Sequence, residues 1–409
     1  MKFILIPRKL IIILGVRWAY RLCTKNLFRI PQKKKWHSFF RILPISKRVI
    51  FFESHRGLSY SDNPKAICEA IISSKLPIRC VWSLEDTNLV VPVTVKKVKR
   101  FSIPYYYYHA CARILIHNGE FTQNLPIRKN QTYVNTQHGT PLKLMGIDIP
   151  KKRLQVSLEE YSKDGRWNYL ISPNSYSTEI FRRAYLYSGP ILEVGYPRND
   201  IFHSRCKPEH VVAIKEKLGL PLDKKVMLYA PTWRDSGNRR MDRDFKLRLD
   251  LRELFEQFGN SHVIVLRLHH LISSANFIES DLSFFVFEFS SAQYDVQEIM
   301  LVSDVLITDY SSMMFDYANL CRPIIFFAYD FAEYSTEIRG TYFDLKTHSP
   351  GPVVECMNDL IQSIRTIETW TLEFSEKQIS FHEKFCSLES GIATQRVIDE
   401  IIKPEIGIN

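Results

Sequence analysis

From Arg48 onward, short and nearly continuous apolar runs alternate with stretches whose apolar residues recur at helical spacing. The runs Val49–Phe52, Ile78–Trp82, Ile114–His117, Tyr133–Thr136, Tyr169–Ile171 and Leu192–Val194 predict one series of strands. A second series follows at Val226–Ala230, Val263–Leu268, Phe284–Phe287, Val305–Thr308 and Ile324–Phe327. Most are short and β-branched or aromatic, as a parallel strand covered on both faces must be. Helical patterns lie between them at Ser175–Tyr185, His210–Leu218, Leu251–Phe258 and Asp295–Leu301. Such alternation predicts βαβ units in doubly wound sheets. The strands are too many for one compact sheet, and Gly195–Leu222, with Pro197, Pro208 and Pro221, is the natural seam. The fold class expected is α/β, with two Rossmann-like domains facing across a cleft.

Charge changes the picture only at one end. Of the 55 Lys and Arg, 13 lie in residues 1–48, which hold no Asp or Glu; the remaining chain sets 42 against all 44 acidic side chains. A nearly neutral body argues against a nucleic-acid groove across the fold, so no nucleic-acid partner is expected. Within the basic segment, Leu10–Val16 is apolar but far shorter than the roughly 20 residues a membrane-spanning helix needs. Trp18, Tyr20, Phe28, Trp36, Phe39 and Phe40 are interleaved with the cations, a composition suited to an anionic membrane surface. A basic, solvated helix packed on the body is the competing reading. The eight cysteines show no CxxC pair and no zinc-like spacing, and read as thiols of a reducing compartment.

In doubly wound sheets ligands bind beyond the carboxyl ends of the strands. After the predicted strand ending at Thr136 comes Gln137-His138-Gly139-Thr140-Pro141-Leu142-Lys143. Thr140 suits a helix N-cap and Pro141 a first helical position, so a helix is expected there, with His138 on the loop before it and Lys143 close by. A histidine so placed can take a proton from an attacking hydroxyl, or can merely close the turn. After Thr308 comes Asp309-Tyr310-Ser311-Ser312, then a helical run from Met313 to Leu320. Two hydroxyls at a helix start suit a diphosphate or an ordinary cap. Arg267 and His269 alternate to one side of an extended chain and can share a phosphate. Arg234, beyond the strand ending at Ala230, and Arg339, after the last predicted strand, are further phosphate contacts to consider.

No metal site stands out. The pair Asp242 and Asp244 could hold a metal bound to a nucleotide, but it lies in a charged stretch that follows no strand directly and reads as a solvated loop. A Mg²⁺ ion held mainly by a diphosphate would leave little trace in sequence, so metal dependence is left open. There is no GxxxxGK[ST] loop and no GxGxxG fingerprint.

Taken together, eight ordered segments resemble the CDP-glycerol glycerophosphotransferase family, the teichoic-acid primases and polymerases. They are Ser59–Pro64, His138–Lys143, Ser172–Ser175, Gly195–Asp200, Tyr229–Arg234, Arg267–His269, Thr308–Ser312 and Arg339-Gly340, within about residues 48 to 395. The resemblance implies a GT-B-like fold at the cytoplasmic face of the membrane, peripherally bound. It implies a CDP-glycerol or CDP-ribitol donor and a lipid-linked glycan acceptor, in teichoic acid or capsular polymer synthesis. His138 would be the general base, and Arg267, His269, Ser311 and Ser312 would hold the diphosphate, with Arg234 and Arg339 as weaker contacts. Asp309 and Lys143 belong to the same matching motifs and count with the binding residues. His270 stands where many relatives have proline, which leaves open which of the adjacent histidines faces phosphate.

The organisation expected is a basic membrane-associating segment over 1–46, an acceptor and general-base domain over 47–200, a CDP-donor domain over 222–395 and a tail over 396–409. Two rivals stand beside this reading. One is a GT-B glycosyltransferase using a nucleotide sugar, because fold does not fix chemistry. The other is a non-catalytic protein that binds membrane or nucleic acid through its basic N-terminus.

Overall fold

A computed structural model describes residues 32–119, 125–150, 167–232, 247–268, 278–331 and 340–408. They form two α/β domains, each built on a fully parallel sheet. The first sheet has seven strands in the order β3-β2-β1-β4-β5-β6-β7: β1 Ser46–Glu53, β2 Arg79–Leu84, β3 Lys96–Lys99, β4 Ala112–His117, β5 Thr132–Asn135, β6 Tyr169–Ser172 and β7 Ile191–Glu193. The second has six in the order β10-β9-β8-β11-β12-β13: β8 Lys225–Ala230, β9 His262–Leu266, β10 Val286–Glu288, β11 Val305–Thr308, β12 Ile324–Phe327 and β13 Val353–Val354.

The continuous apolar runs are explained by cover on both faces. In β1, Ile50 and Phe52 pack on one side of the sheet with Ile67, Ile71 and Trp82, while Val49 and Phe51 pack on the other with Tyr105 and Leu115. Phe52 stacks on Trp82 at 5.5 Å and 8°. In β8, Val226 and Leu228 face one cluster and Met227 and Tyr229 the other. The two strands that carried no signal are edge strands. β3 reads Lys-Lys-Val-Lys with only Val98 buried, the charged edge that deters pairing with another chain, and β13 is two residues long.

Three expectations change. No helix starts at Pro141, and the next helical turn is the short one at Gly146–Asp148. Residues 142–144 instead run extended against 340–342 of the second domain, with a Lys143–Thr341 bridge and bonds from Leu144 N to Gly340 O and from Tyr342 N to Leu142 O. Hydrogen bonds to a distant segment replace those a helix would have made. Residues 396–408 are no tail. The helical stretch that begins at Ala393 returns to the first domain and buries Val397, Ile398, Ile401 and Ile402 with Ile50 and Phe52. Asp200 caps it, its two carboxylate oxygens accepting from Ala393 N and Thr394 N at 3.0 and 2.8 Å.

Thirdly, the end of the basic segment packs on the body. The helix Gln32–Phe40 lies on the helix Ile103–Cys111, with Phe39 buried, Trp36 and Phe40 stacked at 6.2 Å, and Phe40 edge-on to Tyr107 at 5.4 Å. Of those three rings Phe39 is buried, and Trp36 and Phe40 are half-buried. Residues 1–31 lie outside the described residues. Among the described ones no helix is long and apolar enough to cross a membrane.

Candidate active site

Both sheets reverse their strand order at one point, between β1 and β4 in the first and between β8 and β11 in the second. The crevices at such switch points are where doubly wound sheets take ligands. The chain leaves β1 into Ser54-His55, β4 into Asn118, β5 into Thr136-Gln137-His138, and β11 into Asp309–Ser312. These ends meet across the cleft.

His138 is exposed to the cleft, although protein surrounds it. Its Nδ1 lies 2.7 Å from the carbonyl oxygen of Asn118. A carbonyl can only accept, so Nδ1 carries the hydrogen and Nε2 is left with its lone pair. Burial, the neighbouring His55 and Arg198 pull the His138 pKa below its usual value, against Asp62 and the Asn118 bond. The ring is thus held neutral and oriented, as a proton acceptor must be.

The loop carrying it is clamped from below. Asn63 Nδ2 donates to the carbonyls of Thr136 and Gln137 at 3.1 and 3.0 Å, and Gln137 N donates to Asn135 Oδ1 at 2.9 Å. Gln137 itself is left-handed at φ 51°, as are His55 at 44°, Arg56 at 57° and Asp62 at 67°. Non-glycine residues in that region cost about 1–3 kcal/mol each and persist only where the surroundings over-determine them. Four of them border this site.

The over-determination is ionic. Asp62, buried at the start of the helix Asp62–Ser73, accepts from Asn118 Nδ2 at 2.7 Å and Arg198 Nη1 at 2.8 Å, and lies 3.1 Å from His55 Nε2. Burial alone would raise its pKa, but Arg198 and His55 hold the carboxyl well below the usual range. Arg198 Nη1 also donates to the His138 carbonyl at 2.8 Å, while its Nη2 reaches both oxygens of Asp316 in the second domain at 3.0 and 2.8 Å. One guanidinium therefore joins the backbone of His138 to the helix Met313–Tyr317 that follows Ser311-Ser312. Nearby, the buried Glu389 accepts from Tyr196 N at 3.1 Å and Asn199 Nδ2 at 3.0 Å, and burial pushes its carboxyl up to about 8.

In the second domain, Thr232 N donates to Asp309 Oδ1 at 2.8 Å and Thr308 Oγ1 to Ala230 O at 2.7 Å, so the ends of β8 and β11 are tied together. Ser311 Oγ accepts from Met313 N at 3.2 Å, and the helix continues as a tighter turn over Ala318–Leu320. Arg267 follows β9, its Nη1 donating to the carbonyls of Phe289 and Ser291, and burial lowers its pKa. Lys143 stands on the extended segment that bridges to Thr341. The structure thus brings His138, Ser311, Ser312 and Asp309 to facing strand ends, with Arg267 one strand further out. Arg234, His269 and Arg339 lie outside the described residues, as do Asp242 and Asp244. Among the described residues no group of three or more His, Cys, Asp or Glu is placed to hold a metal.

His55, Asn118, Asp62, Arg198 and Asp316 carry no role in the sequence reading. Asp62 and Arg198 sit inside two of its eight segments, and His55 and Asn118 follow strands that it predicted, so a search of every strand end would have found the last two.

Comparison with known proteins supplies the context. The model of the family described as CDP-Glycerol:Poly(glycerophosphate) glycerophosphotransferase matches residues 36–403. A teichoic acid poly(glycerol phosphate) polymerase of Bacillus spizizenii is 37% identical over 372 residues, covering 88% of this chain and 93% of that one. A teichoic acid glycerol-phosphate transferase of Staphylococcus aureus is 39% identical over 88% of this chain and 94% of its own. A teichoic acid poly(ribitol-phosphate) polymerase of Bacillus spizizenii is less similar, 29% identical over 90% of this chain and 58% of its own. Among solved structures, the wall teichoic acid polymerase TagF superposes with a TM-score of 0.86 at 37% identity, covering 96% of this chain and 98% of that one. A variant of that protein has also been solved after soaking with CDPG.

Proposed function

The chain belongs to the CDP-glycerol:poly(glycerophosphate) glycerophosphotransferase family, and from that premise we propose that it transfers glycerol phosphate from CDP-glycerol to a hydroxyl of a lipid-linked acceptor in teichoic acid synthesis. The relatives named for glycerol phosphate are more similar to it than the one named for ribitol phosphate, which favours CDP-glycerol over CDP-ribitol. The observation that carries the mechanism is the bond from His138 Nδ1 to the Asn118 carbonyl, because it leaves Nε2 as a base open to the cleft.

In the proposed step, Nε2 takes the proton of the acceptor hydroxyl as its oxygen bonds to the β-phosphorus. The bond from that phosphorus to the bridging oxygen breaks, and CMP leaves with the electron pair. Phosphoryl transfer asks for positioning and charge stabilisation more than for covalent help. Ser311, Ser312, Asp309 and Arg267 are assigned to the donor side, with His269, Arg234 and Arg339 beside them from the family resemblance, and Lys143 to the join between the domains. Residues 1–31 are assigned to an anionic membrane surface at the cytoplasmic face, on their excess of cations and rings.

The test is CMP release from CDP-glycerol and, separately, CDP-ribitol, with a lipid-linked disaccharide or its glycerol-phosphate-primed form as acceptor. His138→Ala is expected to lower acceptor-dependent release about a hundredfold or more. Absence of CMP from either donor across these acceptors, with Mg²⁺ supplied, would sink the assignment and return weight to a nucleotide-sugar donor.

A further inference from the structure

We infer that His55 and Arg56 form a subsite for the phosphodiester anion next to the acceptor's attacking hydroxyl, so that the site prefers an acceptor already ending in a polyol phosphate. The inference rests on the general-base role proposed above for His138 and adds what lies on the other side of the attacking group.

The first observation is position. His55 is the second residue beyond β1, at the switch point of the first sheet, and its ring lies edge-on to that of His138 with centroids 6.0 Å apart. A hydroxyl at His138 Nε2 is bonded to a polyol chain, and the next phosphate of a glycerol phosphate polymer is one three-carbon unit away. The spacing of the two rings is of that size.

The second is presentation. The side chain of Asp62 is 4% exposed and that of His55 47%, so the carboxylate is buried while the imidazole faces solvent. Asp62 stays ionised, and His55 Nε2 lies 3.1 Å from its Oδ2 and 3.1 Å from Asn118 Nδ2, so that edge of the ring is anchored on both. His55 N donates to Asn118 Oδ1 at 2.9 Å, fixing the backbone as well. With Nε2 committed, Nδ1 is the ring atom that can meet a ligand. The anion expected there does not confront Asp62, whose charge is already met by Arg198.

The third is the turn itself. His55, Arg56 and Gly57 are successive left-handed residues at φ 44°, 57° and 79°. Arg56 is exposed on that turn, a permanent cation one residue along from His55. An acceptor ending in a bare sugar hydroxyl has no anion to offer this pair. The arrangement therefore suits chain extension over addition of a first unit.

The experiment compares two acceptors with CDP-glycerol: a lipid-linked disaccharide carrying one glycerol phosphate, and the same disaccharide without it. For His55→Gln, the KM for the primed acceptor is expected to rise about tenfold, with the KM for CDP-glycerol within about twofold of its starting value. Arg56→Gln, an exposed change outside the buried network, is expected to raise the same KM by about threefold or more. Arg56→Gln is not expected to move the KM of the unprimed acceptor. Equal losses of Arg56→Gln on both acceptors, an unchanged primed-acceptor KM in both variants, or a wild-type preference for the unprimed disaccharide would each overturn the subsite. Absence of CMP from the wild type with either acceptor would instead remove the parent reading, and is thereby distinguished from failure of the subsite.

Discussion

Gly139, beside the proposed general base His138, touches Ser312 of the opposite domain so closely that a Cβ at 139 would lie 2.9 Å from its Oγ and 3.3 Å from its Cβ. The residue after the base thus sets how near the two halves of the site approach. Gly139→Ala is expected to hold them apart by a few tenths of an ångström and lower kcat/KM by about tenfold or more, since small misplacements are costly in positioned reactions. Its Tm should change little. An unaltered kcat/KM would mean that the contact has no bearing on the chemistry.

Arg198 pairs with two buried carboxylates at once, Asp62 of its own domain and Asp316 of the other. Removing one partner of a buried ion pair typically costs about 3–5 kcal/mol, because the remaining charge is left uncompensated. Arg198→Ala should lose stability of that order in urea unfolding. In a double-mutant cycle with Asp316→Ala the two losses should be clearly less than additive. Additive losses would show that the fork contributes no coupling between the domains.

The acid limb of the pH profile reports His138. Only the neutral ring can accept a proton, and burial together with His55 holds its pKa below the usual 6.5. The fall in kcat/KM should therefore begin below 6.5 as pH is lowered. His55→Gln removes one positive neighbour, so it should move that limb to higher pH. A limb at or above 6.5 in the unaltered enzyme contradicts the environment described.

Glu389 predicts an opposite dependence in stability. Its carboxyl is held up to about 8 by burial, against 4.5 for an ordinary glutamate. Between those values the folded chain keeps a proton that the unfolded chain has lost, so stability falls as pH rises from 4.5 to about 8, then levels. The slope for one such group is about 1.4 kcal/mol per pH unit. Glu389→Gln keeps an oxygen for Tyr196 N and Asn199 Nδ2 and should flatten this part of the curve. Urea midpoints measured from pH 5 to 9 on both proteins decide it.

The buried pair His37 and His109 gives the acid counterpart. His109 Nδ1 lies 3.1 Å from His37 Nε2, and burial with Arg41 and Arg128 lowers the His37 pKa to about 4. Between 6.5 and about 4 the unfolded chain binds a proton that the folded one refuses, so stability is lost as pH falls through that window. Acidification should free the Gln32–Phe40 helix first, visible as faster amide exchange there before the rest of the first domain.

The sequence alone determined what depends on near neighbours along the chain. Alternating apolar runs sufficed for eleven of the strands and for the division into two sheets, because a strand buried on both faces must be apolar at every position. His138 and Ser311-Ser312 were legible because each follows such a run directly. What only the tertiary structure decided are the pairings between residues far apart in sequence. Arg198 meets Asp316 across 118 positions, the Ala393–Ile406 stretch completes a core begun at β1, and residues 142–144 give up a helix to pair with 340–342. Local pattern carries no record of a partner hundreds of residues away. The charged residues that join the domains read, one at a time, like any solvated side chain, and folding alone buries them against each other.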